Sequence, residues 1–183
     1  VSIARARARF TFPSRFMLLA AMNPCPCGHL GDPRHRCDCT GPVVDRYRGR
    51  VSGPLLDRID LHVEVPVPTL GELKSSNGTG SDEIAGRVRE ARSRQAARFG
   101  GELSPPLNAT MGPKLTRERC ALDSGGQKLL DRAYEHLGLS ARAIDRVRKV
   151  SRTIADLEGR DRIEAAHVAE AIQYRALDRR VAG

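Results

Sequence analysis

Six apolar residues run without interruption over 17–22, Met-Leu-Leu-Ala-Ala-Met, with Phe16 before them and Asn23-Pro24 after them. The run is short for a helix and shows no alternation, which predicts a strand buried on both faces. Pro24 lacks a backbone donor and ends such a strand. Asn23 then stands at the carboxyl tip, where open α/β sheets place their ligand crevice; an asparagine in that place also serves as an ordinary turn residue. Upstream, positions 1–15 alternate small or apolar residues with Arg5, Arg7 and Arg9, and this period of two predicts a β-hairpin or edge strand with one basic face. Such charges either protect a solvated edge or contact phosphates, so Arg5, Arg7 and Arg9 are candidate nucleic-acid ligands.

Further along, 42–51 reads as a short helix carrying Arg46, Arg48 and Arg50, broken by Ser52-Gly53-Pro54. Leu-His-Val-Glu-Val at 61–65 alternates like a second strand, which Pro66 and Pro68 end. The Gly- and Ser-rich stretch 69–81 is the expected hinge between domains. Everything beyond it reads as helix. Expected helices cover 82–99, about 114–122, 124–137, a long one capped by Ser140, and a last one opened by Asp161 and Glu164, with 104–113 as an extended connector. Ile144, Val147, Val150, Ile154 and Leu157 recur every three or four residues and mark the buried face of the long helix. The pattern thus predicts an α/β part, with a buried strand, a hairpin and a loop, followed by an all-α bundle.

Composition sharpens this picture in a few respects. The 183 residues suffice for one moderate domain or two small ones. A net charge of +9 and a pI of about 9.9 favour a polyanionic partner, although an arginine-rich chain is also what a GC-rich genome encodes. Aromatic residues make up 4% and tryptophan is absent, which argues against gripping single strands through stacked bases. No apolar run approaches a membrane span and no signal-peptide pattern opens the chain, so a cytoplasmic location is expected, without a membrane partner. The first residue is Val, inside what reads as regular structure, so a fragment or a short reading frame with an unusual start codon is expected.

Four of the five cysteines form two Cys-x-Cys pairs, Cys25/Cys27 and Cys37/Cys39, at the ends of a loop rich in Gly, Pro, His and Arg. Four thiolates close a tetrahedral zinc site, and a loop with no core of its own gains from such a staple. A cytosolic setting disfavours disulfides. The alternatives are free thiols, or His29 or His35 in place of one sulfur. Cys120 stands alone and reads as a small core residue.

Asn23 after an apolar run, Ser-Gly-Pro-Leu-Leu-Asp-Arg-Ile-Asp-Leu at 52–61 and Leu-Ser-Ala-Arg-Ala-Ile-Asp-Arg at 139–146 fall in a recognisable order. With Ala21-Met22-Asn23-Pro24-Cys25-Pro26-Cys27-Gly28 and Arg152-Thr153-Ile154-Ala155-Asp156-Leu157, they resemble the carboxyl-terminal half of magnesium-chelatase-like AAA+ ATPases of the competence (ComM) type. The resemblance covers nearly the whole chain. It implies the distal part of an AAA+ core over 1–68, a hinge over 69–81 and a helical lid over 82–183. Asn23 matches the family's sensor-1 residue, Arg58 its arginine finger and Arg142 its sensor-2 arginine, and the basic hairpin resembles the pre-sensor-1 insertion. It further implies ATP and Mg²⁺ as cofactors of the intact protein, copies of the chain in a ring (a hexamer), and DNA as partner in uptake and recombination. Local alternatives exist for both arginines: an ion pair of Arg58 with Asp57 or Asp60, and a solvated face that Arg142 shares with Arg146 and Lys149.

This sequence departs from the family pattern in what it lacks. It contains no Gly-x₄-Gly-Lys-Ser/Thr, and Gly125-Gly126-Gln127-Lys128 has neither the spacing nor the hydroxyl of a phosphate loop. No apolar strand ends in an Asp-Glu pair for Mg²⁺. The chain alone is therefore expected not to hydrolyse ATP. Nothing in it suggests a tetrapyrrole pocket, so no porphyrin is expected either. Two other readings compete: a free-standing, basic, zinc-stapled nucleic-acid-binding protein, and a subunit fragment that inhibits rings of longer copies.

Overall fold

The computed structural model describes residues 2–5, 8–13, 16–75, 78–100 and 107–175. Two compact units divide the chain, Val1–Arg48 and Gly49–Gly183. No described helix is long and apolar enough to cross a membrane.

In the first unit the period-two pattern forms an antiparallel hairpin, β1 (Ser2–Arg5) and β2 (Ala8–Thr11). Its register pairs Ile3 with Phe10, Ala4 with Arg9 and Arg5 with Ala8. Directly paired residues share a face, so Arg5 and Arg9 lie on opposite faces rather than on one basic face. In this register the alternation of β2 is offset by one residue from that of β1, which the arginine spacing alone does not reveal. Arg7 lies outside the described residues. One helix, α1 (Gly41–Arg48), follows the cysteine loop and buries Val44.

Residues 16–23 form no strand. They carry no regular secondary structure and are open, with Met17 93% and Leu19 92% exposed. Residues 61–65 likewise form no strand, and Val65 is 86% exposed. A strand buried on both faces takes hydrogen-bonding neighbours and covering layers from elsewhere. Among the described residues the sole sheet is the β1–β2 pair.

The second unit is helical, as the apolar spacing predicts. It comprises α2 (Gly53–Leu56), α3 (Leu70–Lys74), α4 (Ser81–Arg98), a 3₁₀ turn (Asn108–Thr110), α5 (Pro113–Arg119), α6 (Ser124–Leu137), α7 (Ala141–Leu157) and α8 (Ala165–Gln173). The expected hinge holds a short helix. The Thr69 hydroxyl accepts from the Glu72 N–H at 3.2 Å, and the Glu72 carboxylate accepts from the Thr69 N–H at 2.7 Å, a reciprocal cap that starts α3. Asp123 caps α6 through the Gly126 N–H at 2.6 Å, and Ser140 caps α7 through the Ala143 N–H at 3.1 Å. At α8 the cap pairs Glu164 with His167, whose Nδ1 accepts the Glu164 N–H at 2.8 Å. Asp161, expected to help open α8, instead faces Arg94 at 3.5 Å.

α7 is the central element, packed against α4, α5 and α8, while α6 packs on α8. Its Ala143, Val147, Ile154 and Ala155 join Leu130 of α6 and Val168 and Ala171 of α8 in one apolar core. Leu157, expected inward, is 37% exposed at the helix end. Cys120 is fully buried in the same core. Gly126 fits this packing: a Cβ there would meet Val168 Cγ2 at 3.1 Å and Asp123 Oδ1 at 3.0 Å, so a larger residue would need these side chains to give by a few tenths of an ångström where α6 lies against α8.

Candidate functional site

Chemistry-bearing residues gather in two places, one in each unit. In the first, Asn23 is exposed at the end of the apolar run. Pro24 follows it, and the Pro24 carbonyl accepts from Arg48 Nε of α1 at 3.2 Å. Cys25 then opens a turn closed by Gly28 N–H donating to the Cys25 carbonyl at 3.0 Å. Gly28 has φ +84°, a left-handed backbone that favours glycine, and its Cα faces the Asn23 amide, since a Cβ would sit 3.8 Å from Asn23 Nδ2.

The loop brings the four thiols of Cys25, Cys27, Cys37 and Cys39 together, all Sγ atoms lying within 4.8 Å of one another. Cys25 Sγ is 3.3 Å from Cys27 Sγ and 3.7 Å from Cys37 Sγ, and Cys27 lies 3.6 Å from Cys37. No disulfide joins them. Burial pushes the Cys25 thiol up, but hydrogen bonds from Cys27, the Leu30 backbone, Cys37 and Cys39 outweigh burial and hold it at about 6. Cys37 moves the other way. A Cys39 backbone hydrogen bond lowers it, yet burial and the neighbouring thiols of Cys27 and Cys25 push it up to about 12. Cys25 thus ionises readily while Cys37 and Cys39 resist, as expected where negative charges crowd one spot.

Inside the loop, His29, Asp32 and His35 form a second group. Asp32 accepts from the Arg34 N–H and from His35 Nδ1, both at 2.8 Å, and these contacts hold its carboxyl down at about 2. The two imidazoles lie 5.0 Å apart by ring centroids.

In the second unit, Arg58 is exposed just after α2, and its guanidinium donates to the Pro54 carbonyl. No ion pair among the described residues joins it to Asp57 or Asp60, so the local salt bridge weighed from sequence is not what holds it. Asp60 is engaged elsewhere, 2.6 Å from Arg146 Nη1 on α7. Two further contacts fix this segment: the His62 N–H donates to the Tyr174 carbonyl at 2.8 Å, and Arg175 donates to the Ile59 carbonyl. Residues 59–62 are therefore strapped to α7 and to the end of α8. Arg142 is exposed in the first turn of α7, one turn before Arg146, and makes no ion pair among the described residues. Arg146 and Lys149, expected to share its solvated face, are taken up by Asp60 and by Asp145 at 2.9 Å.

Sequence reasoning missed the polar centre that fixes α7. Asp156 is 2% exposed and receives both Arg98 and Arg152, with Arg98 Nη1 at 3.1 Å and Arg152 Nε at 3.2 Å. Asn108 Nδ2 donates to the same carboxylate at 2.8 Å, and Gln95 Oε1 accepts the Asn108 N–H at 3.1 Å. Arg152 also donates to the Asp161 carbonyl at 2.7 Å. Its burial lowers the guanidinium pKa, against the opposing pull of Asp156. The spacing of Arg152 and Asp156, one helical turn, was the available local signal.

The chain belongs to the magnesium-chelatase family: residues 1–73 match "Magnesium chelatase, subunit ChlI" and residues 78–175 match "Magnesium chelatase, subunit ChlI C-terminal". Its architecture, a small sheet followed by a helical domain, is consistent with part of an AAA+ core and the helical domain after it. Among individual proteins, it is 42% identical over 181 residues to "Uncharacterized protein YifB" of Salmonella typhimurium and to the protein of the same name in Escherichia coli. It is also 42% identical over 182 residues to "Competence protein ComM" of Haemophilus influenzae. Each likeness covers 98% of this chain and 34% of the relative, so the chain spans about a third of their length. A free-standing zinc-stapled nucleic-acid-binding protein is accordingly not favoured.

Proposed function

We propose that this chain is the sensor-and-finger portion of an ATP-driven ring motor that acts on DNA, in the manner of a helicase or branch-migration enzyme during uptake and recombination. The observation that carries the reading is the state of Arg58. It is exposed and bonded to a carbonyl, while its neighbour Asp60 is drawn off by Arg146. A planar, permanently charged guanidinium without a carboxylate partner is suited to bridge phosphate oxygens, and such fingers raise rates by about 10³–10⁵ in other NTPases. Arg142 has a comparable standing. A cation in the first turn of a helix opposes the helix dipole, so its place there is better explained by an anion it meets than by stability.

In this reading, residues 1–68 end the AAA+ core, 69–81 link it, and 82–183 form the lid. The two family matches meet between residues 73 and 78, within that link. Asn23 orients the attacking water or the γ-phosphate, Arg58 reaches the nucleotide of a neighbouring copy, and Arg142 meets nucleotide through movement of the lid. ATP and Mg²⁺ are held by an upstream phosphate cradle in the longer protein, six copies form the ring, and the setting is the cytoplasm. Arg5, Arg7 and Arg9 contribute phosphate contacts to DNA. The strap from Asp60 to Arg146 makes the finger segment and the lid helix move together.

The test is made in the longer protein. Arg58→Ala should lower kcat by about 10³ or more while nucleotide still binds, because the finger acts on the transition state. Arg142→Ala should weaken nucleotide binding. Turnover unchanged by Arg58→Ala would defeat the reading.

A further inference from the structure

The first unit poses a stability problem. Its buried hydrophobic side chains are Cys25 and Val44, so the loop from Pro24 to Thr40 has no apolar core among the described residues. Something else must hold a long Gly- and Pro-rich segment in one conformation, against the entropy that favours an open loop.

The four sulfurs answer that need by their geometry. Zinc bound to thiolates at about 2.3 Å in a tetrahedron sets the sulfurs roughly 3.8 Å apart. The Sγ separations of 3.3, 3.6 and 3.7 Å, with Cys39 inside the same 4.8 Å group, are close to that cage. Two Cys-x-Cys pairs bring the ligands from both ends of the loop, so one ion closes it. Backbone N–H groups also point at the sulfurs, from Leu30 to Cys25, from Cys39 to Cys37 and from Cys27 to Cys39. Such bonds are the outer support that thiolate ligands use.

We infer that Cys25, Cys27, Cys37 and Cys39 hold one structural Zn²⁺, and that this ion replaces the missing core of the loop. Four protein ligands leave the ion no open position, so it does no chemistry on substrate. The His29–Asp32–His35 group is not the site. Both Asp32 contacts are already made within the loop, to the Arg34 N–H and to His35, and the imidazoles are about half exposed. One consequence reaches the motor: the closed loop fixes Pro24 and the Gly28 turn beneath Asn23, holding that amide in place. This consequence rests on the sensor reading of Asn23; the metal site itself does not.

The experiment uses the 183-residue chain purified without added metal. Elemental analysis should give about one zinc per chain, and cobalt substitution should give intense tetrahedral d–d bands with sulfur-to-cobalt charge transfer. Cys27→Ser and Cys37→Ser should each lose most of the metal, with the helical unit still folded by far-UV circular dichroism. Cys39→His should keep the metal with the charge-transfer intensity reduced, and His35→Ala should keep it unchanged. A folded wild-type chain without metal, and with four freely reactive thiols, would overturn the proposal. So would metal that survives Cys27→Ser but is lost with His35→Ala. Either result leaves the assignment of Arg58 and Arg142 untouched.

Discussion

Replacing Asp156 by alanine should be among the most damaging single changes in the helical unit. Its carboxylate is fully enclosed and accepts from Arg98, Arg152 and Asn108, joining α4, the 3₁₀ turn and α7. Arg152, 2% exposed, would be left with its charge buried and two backbone carbonyls as partners. Removing one member of a buried ion pair costs about 3–5 kcal/mol, against about 0–1 kcal/mol for a surface pair. At about 4 °C per kcal/mol for a unit of this size, the melting temperature should fall by roughly 12–20 °C. Asp156→Asn keeps the shape and one carbonyl acceptor and should fall between the two. Urea unfolding measures the effect, and the midpoint should move with the slope unchanged. Combining Arg98→Met with Asp156→Leu should show a coupling on the order of 2 kcal/mol, since the two residues touch. A loss below about 1 kcal/mol for Asp156→Ala would refute the claim that this centre holds α7 in place.

Three other changes follow from the same contacts. Arg142→Ala should stabilise the chain by about 0.5 kcal/mol, because a cation leaves the positive end of α7, and the gain should shrink in high salt. The Glu72 carboxyl is held below the usual glutamate range by the backbone and hydroxyl of Thr69. Its cap therefore contributes above the ordinary glutamate pKa and is lost as pH falls through the lowered value; an NMR titration of Thr69→Ala should move Glu72 only part of the way back toward its usual range, because the backbone N–H of residue 69 still donates to the carboxylate. Asp60→Asn should release the segment after Arg58 from α7, seen as faster amide exchange at His62, while a double cycle with Arg146→Gln should give about 0.5–1 kcal/mol for this half-exposed pair.

The helical half was legible because its signals are local. Apolar spacing marks the inner face of α7, and Asp123 and Ser140 cap α6 and α7 where their residue types predict. The His167 side of the α8 cap was not legible, because a histidine is not the usual partner at that position. The apolar run before Asn23 misled for a different reason. Strandedness belongs to pairs of segments, and this chain spans about a third of the length of its relatives. The cysteine spacing announced a possible knuckle, but the convergence of all four sulfurs is a property of the folded loop. Arg58 and Arg142 were legible as types in a pattern; what surrounds them was not. Asp60–Arg146, Arg175–Ile59 and the Asp156 centre join residues far apart in sequence, with no local trace except the Arg152–Asp156 turn.

The central claim is that Arg58 works on a nucleotide held by another copy. The most direct measurement mixes two inactive forms of the longer protein, one with Arg58→Ala and one disabled only in its phosphate cradle. Each alone should be without ATPase activity. In an equal random mixture roughly a quarter of the interfaces pair a good finger with a good cradle, and activity should return in that proportion. Mixed rings that assemble and stay wholly inactive would contradict the account and leave Arg58 a residue that serves its own subunit.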